Sequence, residues 1–260
     1  MKIQLVSFKK HARYTSKLQV TRPNAMADFL SHSTADFVMF SEHALRTQDD
    51  LTIVQLFNGN KKIVALLELK EGKTLNGNRM YLLQGGEWSY IGNQVFSTSD
   101  EVDPSHVDAL LETIEGKYER FGDKRQFEVA GKNFLILQCG ENNILKGLSG
   151  TAEFRLKNHP SLEKRFNDIL EKVNIVLNPV HERWGRFGSF LARLRKFSEN
   201  GRYCFSCTQM QENMLEKAIN NPTHNTTQVV MHNGELISPI SSEVIDTGSE
   251  YFLAQTYEID

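Results

Sequence analysis

The sequence predicts an α/β protein whose sheets are covered by helices. Three observations carry that expectation. Short apolar runs of strand type alternate with stretches of helical spacing along the whole length of the chain. The composition is globular, with 260 residues of which 40% are hydrophobic, 24% charged and 10% aromatic; disordered, collagenous and fibrous classes are thereby excluded. No Pro/Ser-rich linker, charge block or fixed-period repeat interrupts the chain, so one domain over 1–260 is expected.

The elements follow in order. Ile3–Phe8 is apolar and closed by lysines, a first strand, and a helix is expected around Asn24–Ser31. Phe37–Phe40 is a compact apolar strand that stops abruptly at Ser41-Glu42-His43. Ile63–Leu69 is the next strand, Asn76-Gly77-Asn78 a turn, and Arg79–Gln84 pairs with Glu87–Ile91 through Gly85-Gly86. Pro104 opens a helix that puts Val107, Leu110, Leu111 and Ile114 on one face. After a turn at Phe121-Gly122-Asp123, Gln126–Val129 and Asn133–Gln138 form a strand pair around Ala130-Gly131-Lys132. The second of these runs directly into Cys139-Gly140-Glu141. Leu162–Lys172 is amphipathic and helical, and Val173–Leu177 is a strand halted by Asn178-Pro179. Phe187, Phe190, Leu191, Leu194 and Phe197 recur at helical spacing until Asn200-Gly201. Tyr203–Cys207 is a strand, Thr227–Met231 and Glu235–Ile237 a hairpin about Asn233-Gly234, and Phe252–Ile259 the last strand.

Charge and motifs remove several function classes. The 30 basic and 32 acidic residues leave a formal charge of −2, without the basic excess of a nucleic-acid binder. Arg183, Arg186, Arg193, Arg195, Lys196 and Arg202 do cluster, and read as the solvated face of an amphipathic helix. Three cysteines are an odd count and no disulfide framework, so free thiols in a reducing compartment are expected. The N-terminal apolar run is too short for a signal-peptide core, and no stretch approaches the ~20 apolar residues of a membrane helix. A soluble, cytoplasmic protein is expected, with the sequon at Asn225 unglycosylated. Gly72-Lys73-Thr74 lacks the earlier glycine of a phosphate loop, since Leu67 stands there. In Gly147-Leu148-Ser149-Gly150 the spacing misses a serine-hydrolase elbow. The eight histidines show no zinc-helix spacing, so no metal is expected.

One pairing stands out. Cys139 directly follows the apolar strand Phe134-Leu135-Ile136-Leu137 and precedes Gly140. A nucleophile at such a turn is held exposed, and the N–H groups just after it can face an oxyanion. A glycine at 140 suits the turn sterically. Glu42 sits at the equivalent place after Phe37–Phe40, where its carboxylate emerges at the C-terminal edge of the sheet. A thiol and a carboxylate at two such edges make a nucleophile and its general base. Taken alone, a cysteine after a strand is more often an inert buried apolar residue, and such a glutamate is often a helix-start acid.

Longer stretches carry a resemblance. Ala35–Glu42, Phe121-Gly122-Asp123 with Phe127 and Gly131-Lys132, and Leu137–Asn142 resemble, in order, motifs of the nitrilase superfamily, the carbon–nitrogen hydrolases. Val173–Pro179, Arg193–Phe205 with Glu199-Asn200-Gly201, and Phe252–Asp260 continue the likeness to the end of the chain. The resemblance implies a four-layer α-β-β-α sandwich, commonly dimeric or in a larger homo-oligomer. It also implies a Glu-Lys-Cys triad that acts on a small amide, carbamoyl or nitrile substrate through a thioester, by hydrolysis or acyl transfer. It implies no cofactor, no metal, and no membrane or nucleic-acid partner. Cys139 and Glu42 fall on the nucleophile and base positions, with Gly140 and Glu141 beside the nucleophile; the family usually has an aromatic residue where Gly140 stands.

The lysine is missing from its usual place. Where it is expected the chain reads Tyr90-Ile91-Gly92-Asn93-Gln94-Val95-Phe96, and Gln94 is the nearest match. Glutamine donates hydrogen bonds but brings no charge to an oxyanion. Lys117 is the candidate for a migrated lysine and Glu115 for the family's second glutamate. Two readings therefore compete: an active thiol hydrolase, or a catalytically impaired fold kept as a ligand-binding or interaction module.

Overall fold

A computed structural model describes residues 1–10, 16–70, 78–116, 125–181, 187–210, 227–248 and 250–260. In chain order the elements begin β1 (Lys2–Phe8), α1 (Ser16–His32), β2 (Phe37–Phe40), α2 (Gln48–Phe57) and β3 (Val64–Lys70). They continue β4 (Asn78–Gln84), β5 (Glu87–Asn93), α3 (Pro104–Ile114), β6 (Gln126–Val129) and β7 (Lys132–Ile136). A 3-10 turn over Cys139–Ile144 leads to β8 (Leu145–Gly147), β9 (Ala152–Phe154), α4 (Pro160–Leu170), β10 (Ile175–Val180) and α5 (Phe187–Phe197). The chain ends with β11 (Tyr203–Thr208), β12 (Gln228–His232), β13 (Glu235–Leu236), β14 (Ser241–Asp246) and β15 (Tyr251–Glu258).

Two sheets stack face to face. One has seven strands in the order β14-β15-β1-β2-β3-β4-β5, the other six in the order β13-β12-β11-β10-β7-β6. Strand alternation separates their faces. Ile3, Leu5, Phe37, Met39, Val64 and Leu66 of the first sheet meet Phe134, Ile136, Ile175, Leu177 and Phe205 of the second in one buried cluster. The other face of the first sheet, through Val6, Phe8, Val38, Phe40 and Ala65, packs on Met26 and Leu30 of α1 and Leu51 and Val54 of α2. The other face of the second, through Leu135, Val176, Cys204 and Val229, packs on Val107 of α3, Phe166 of α4 and Leu194 of α5. This is the expected α-β-β-α sandwich. Each buried Leu or Phe in these layers contributes about 1.5–3 kcal/mol.

Most expected elements lie within a few residues of those observed. The differences have local causes. The helix expected at Asn24–Ser31 is the second half of α1, which runs through Pro23. Helix α2 was not expected; its start is fixed by a capping box in which Thr47 accepts from the Asp50 N–H and Asp50 accepts from the Thr47 N–H. Strand β14 has mostly exposed residues, so it lacks the apolar run that marks a strand. Strand β10 continues through Pro179 to Val180. It pairs with β7 only as far as Leu177, so Pro179 lies where β10 has a single neighbour, β11. The turns expected at 76–78 and 121–123 fall mainly outside the described residues. Among the described residues, no helix is long and apolar enough to cross a membrane.

The sheets contain parallel sets. Strand β2 runs parallel to β1 and to β3 in the first sheet, and β10 runs parallel to β7 and to β11 in the second. The C-terminal ends of β2, β3, β7 and β10 are where the chemistry-bearing side chains gather.

Candidate active site

The site is built from strand ends. Strand β2 is buried at all four residues, and Ser41 extends its pairing by donating its N–H to Val6 O at 2.8 Å. Glu42 follows and is completely buried. His43 takes φ 56°, the left-handed region, which turns the chain sharply away. On the facing sheet, Leu137 N–H donates to Leu177 O at 2.9 Å, carrying β7 one step beyond its paired end. Cys139 then opens the 3-10 turn, and its N–H donates to Glu42 Oε1 at 3.1 Å. Asn178 on β10 ties this turn down, its Nδ2 donating to Leu137 O at 2.7 Å and Cys139 O at 3.4 Å.

Two further residues complete the cluster. His181, the first residue after β10, has Nδ1 2.9 Å from Glu42 Oε2 and Nε2 2.8 Å from Glu68 Oε1. The Cys139 sulfur lies within 4.8 Å of a His181 ring nitrogen and of a Glu42 carboxylate oxygen. Glu68 lies on β3, two residues beyond Leu66 and so on the face between the sheets, where it is 1% exposed. The His43 ring lies against that of His181 with centroids 3.9 Å apart, and its Nε2 is 3.3 Å from Glu68 Oε1.

The charges interact strongly in this dry setting. Burial, and then the negative charge of Glu68, push the Glu42 carboxyl up to about 8, against the pull of His181. Burial and the Glu42 charge push the Cys139 thiol up, and hydrogen bonds from His181 pull it down. Burial alone would lower His181; Glu42 and Glu68, with the bonds to Cys139 and Glu42, outweigh it and hold the imidazole well above its usual range. By donor type, Glu42, Cys139 and His181, or His43, Glu68 and His181, could hold a metal ion. The nitrogen–oxygen contacts of 2.9 and 2.8 Å are hydrogen-bond distances, whereas two ligands of one tetrahedral zinc lie about 3.3 Å apart.

The structure brings Cys139 and Glu42 together; Gly140 and Glu141 share the turn with Cys139, while Gln94 and Glu115 are bonded to other groups. Gly140 is required for a reason other than its turn conformation: its φ is not in the left-handed region, but a Cβ there would lie 1.9 Å from Ser97 O. The aromatic residue of the resembled motif has no room. Glu141 is held by partners of its own. It is buried against Arg125 Nη2 at 2.9 Å and accepts the N–H groups of Val95 at 2.8 Å and Gln138 at 2.7 Å, which makes it a brace. Gln94 is buried, with one N–H of its Nε2 donating to Phe96 O at 2.9 Å and its Oε1 without a hydrogen-bond partner. Glu115 caps α3 and forms a bidentate pair with Arg165, at 2.6 and 2.7 Å, away from Cys139. Lys117 lies outside the described residues, as do Arg183 and Arg186. Among the described residues, no lysine pairs with Glu42. Part of the arginine cluster is tied down internally: Arg193 donates to Asn142 Oδ1, Arg195 to Gly234 O and Gly150 O, and Arg202 to Phe197 O.

Sequence reasoning missed His181 and Glu68, although signals for both were present. His181 is a polar residue directly after a buried strand, the rule that found Cys139 and Glu42. Ending that strand at Leu177, before Pro179, hid it. Glu68 is a lone acid inside the apolar run Val64–Leu69, at a position whose alternate neighbours are core.

No family model matches the chain, and no curated protein matches it. Solved structures do. An amidase of the nitrilase superfamily from Nesterenkonia AN1 superposes with a TM-score of 0.55 over 99% of this chain and 90% of its own, at 12% identity. A carbon–nitrogen hydrolase from Helicobacter pylori G27 gives 0.52 over 98% and 88%, at 9% identity. At such identities the likeness establishes the fold, that of nitrilase-superfamily amidases.

Proposed function

We propose that this chain is a divergent nitrilase-superfamily enzyme, a thiol-dependent carbon–nitrogen hydrolase or acyl transferase acting on a small amide, carbamoyl or nitrile group. The observation that carries the reading is the meeting of Cys139 and Glu42 across two sheets, the Cys139 N–H 3.1 Å from Glu42 Oε1 and the Cys139 sulfur within 4.8 Å of a Glu42 oxygen. For an amide, Glu42 takes the thiol proton as the sulfur attacks the carbonyl carbon. A C–S bond forms and the carbonyl π pair moves to oxygen. The tetrahedral species collapses, the C–N bond breaks, and Glu42 returns the proton to the leaving nitrogen. Water then attacks the thioester, with Glu42 again accepting a proton; the C–S bond breaks, the acid is released, and Glu42 returns the proton to the departing sulfur. A carboxyl held near 8 suits this shuttling, because a general base works best close to ambient pH.

The likeness of the fold to amidases supports this assignment. Acrylamide is a suitable probe, because a mutant of the Nesterenkonia amidase has been seen with acrylamide added at its active-site cysteine. The test is intact-mass analysis after incubation with a small-amide library and, separately, with acrylamide. An acyl adduct confined to Cys139, formed more slowly in Glu42→Gln, supports the enzyme. Cys204 and Cys207 are wholly buried and should stay unlabelled. Equal labelling of all three cysteines, or no adduct with any amide, favours the binding-module reading.

A further inference from the structure

The reading above leaves a charge unassigned. An oxyanion beside a thiol and a carboxylate needs a positive partner, and the site has no lysine in contact with Glu42 among the described residues. The other buried cation near the turn is Arg125. Its Nη2 is engaged by Glu141 Oε1, Gln138 Oε1 and Asn93 O, so it braces the chain around Cys139 and forms no hydrogen bond to the sulfur.

His181 is differently placed. Both of its ring nitrogens sit within 2.9 Å of a carboxylate oxygen, on Glu42 from one side and Glu68 from the other. The Nε2 contact is a hydrogen bond with Glu68 Oε1 and the Nδ1 contact an ion-pair approach to Glu42 Oε2; a neutral imidazole has one N–H, so presenting an N–H to an ionised carboxylate on each side requires the imidazolium. Two buried carboxylates also need a positive group between them. The Cys139 sulfur, Glu42 and His181 offer donor atoms that all lie within 4.8 Å of one another, so the charge is at the reacting atoms.

We propose that His181, gripped between Glu42 and Glu68, is the catalytic cation of this site, an imidazolium that does for the Cys139 thiolate and the tetrahedral oxyanion what a lysine ammonium does elsewhere. Glu68 is then a positioning residue, holding the ring and its second proton. Glu42 remains the proton shuttle and His181 keeps its charge through the cycle. Among the described residues, the titratable groups facing His181 include Glu42 and His43 after β2, Glu68 on β3, and Cys139 after β7. The upward shift of His181 agrees with this assignment.

The inference rests on the thiol-hydrolase reading for its chemistry, yet it is tested without turnover. Iodoacetamide alkylation of Cys139 is followed against pH in the full chain and in His181→Gln, His181→Lys and Glu68→Gln, each shown to be folded by near-UV circular dichroism. Removing the cation in His181→Gln should slow alkylation at neutral pH about tenfold or more and move the midpoint upward by about one unit or more. His181→Lys should recover part of that loss. Glu68→Gln should keep a fast thiol but bring the alkaline end of the profile down in pH, a change that a purely structural Glu68 would not produce. A folded His181→Gln with the wild-type midpoint overturns the proposal, and so does a folded His181→Lys that reacts no faster than His181→Gln. If the midpoints move as expected while no amide forms an adduct, the cation stands and the hydrolase reading falls. If adducts form and the midpoints do not move, the reverse holds.

Discussion

Gly140→Ala tests how the nucleophile turn is built. A Cβ at 140 would meet Ser97 O at 1.9 Å and the Ser97 carbonyl carbon and Cα at 2.3 Å. Close packing tolerates none of these, so the Ser97 backbone must retreat by about 1.5 Å. Ser97 cannot move freely: its N–H donates to Glu101 Oε2 at 2.6 Å, and its carbonyl accepts Asn143 Nδ2 at 3.2 Å. Just upstream, Val95 N–H is held by the buried Glu141 carboxylate at 2.8 Å. Overpacking costs about 1–3 kcal/mol, and loss of one such hydrogen bond adds about 1 kcal/mol, more where a charged partner is left buried. The expected total is about 2–4 kcal/mol, or a fall in Tm on the order of 5–15 °C at roughly 2–4 °C per kcal/mol for a chain of this size. Urea unfolding and calorimetry measure it. Gly188→Ala is the control, because nothing lies within 4 Å of a Cβ there, and it should be neutral or slightly stabilising within α5. A Gly140→Ala protein within about 0.5 kcal/mol of wild type would refute the account of why this position is glycine.

Other outcomes follow from the same geometry. Because Glu42 must lose its proton to act as base, amide turnover should rise as pH climbs through about 8, and the rise should vanish in Glu42→Gln; a profile flat from pH 6 to 9 in wild type contradicts it. Stability should move the opposite way. Glu42 is raised in the folded state from 4.5 to about 8 and His181 is raised as well, so the native protein holds the extra protons, and stability is lost as pH rises across that window. Thermal melts at a series of pH values should show that slope, and Glu42→Gln should flatten it. Glu141→Gln leaves the Arg125 charge buried with a weaker partner and should cost about 3–5 kcal/mol in urea unfolding, with Cys139 reactivity disturbed only through the turn. A stable Glu141→Gln would mean that the pair is dispensable.

The layers were legible because alternation alone sorts the strand residues. Ile3, Leu5 and Val64 face one way and Val6, Phe8 and Ala65 the other, each set meeting a different cluster. The helices with an apolar stripe, α3, α4 and α5, were legible for the same reason. Glu42 and Cys139 could be read because each is a polar residue that ends a buried strand. His181 obeys that rule too, and was hidden only by a proline that β10 tolerates beyond its contact with β7. Glu141 stands beside the nucleophile in sequence, while its ion-pair partner, Arg125, comes from just before β6. That pairing is long-range and leaves no local signature.

The departures at 94, 140 and 181 have one structural origin. The segment from Asn93 to Ser97 is drawn flush against the nucleophile turn: Asn93 O accepts from Arg125 Nη2, Val95 N–H donates to Glu141 Oε1, and Ser97 O occupies the space of a side chain at 140. Residue 94 lies between the two backbone groups held by the Arg125–Glu141 pair. A lysine there would bring a second buried cation close to Arg125, with a single carboxylate between them, an unfavourable exchange of water for repulsion. The positive charge is supplied instead from the other parallel strand end, by a residue whose charge is conditional. An imidazole keeps its second proton in a dry site only while a carboxylate faces it. Glu42 can supply one, but it must give and take protons during the reaction. A second, fixed carboxylate is therefore needed, and Glu68 sits 2.8 Å from the far nitrogen to provide it. The missing lysine and the acid buried in β3 are two sides of one electrostatic solution.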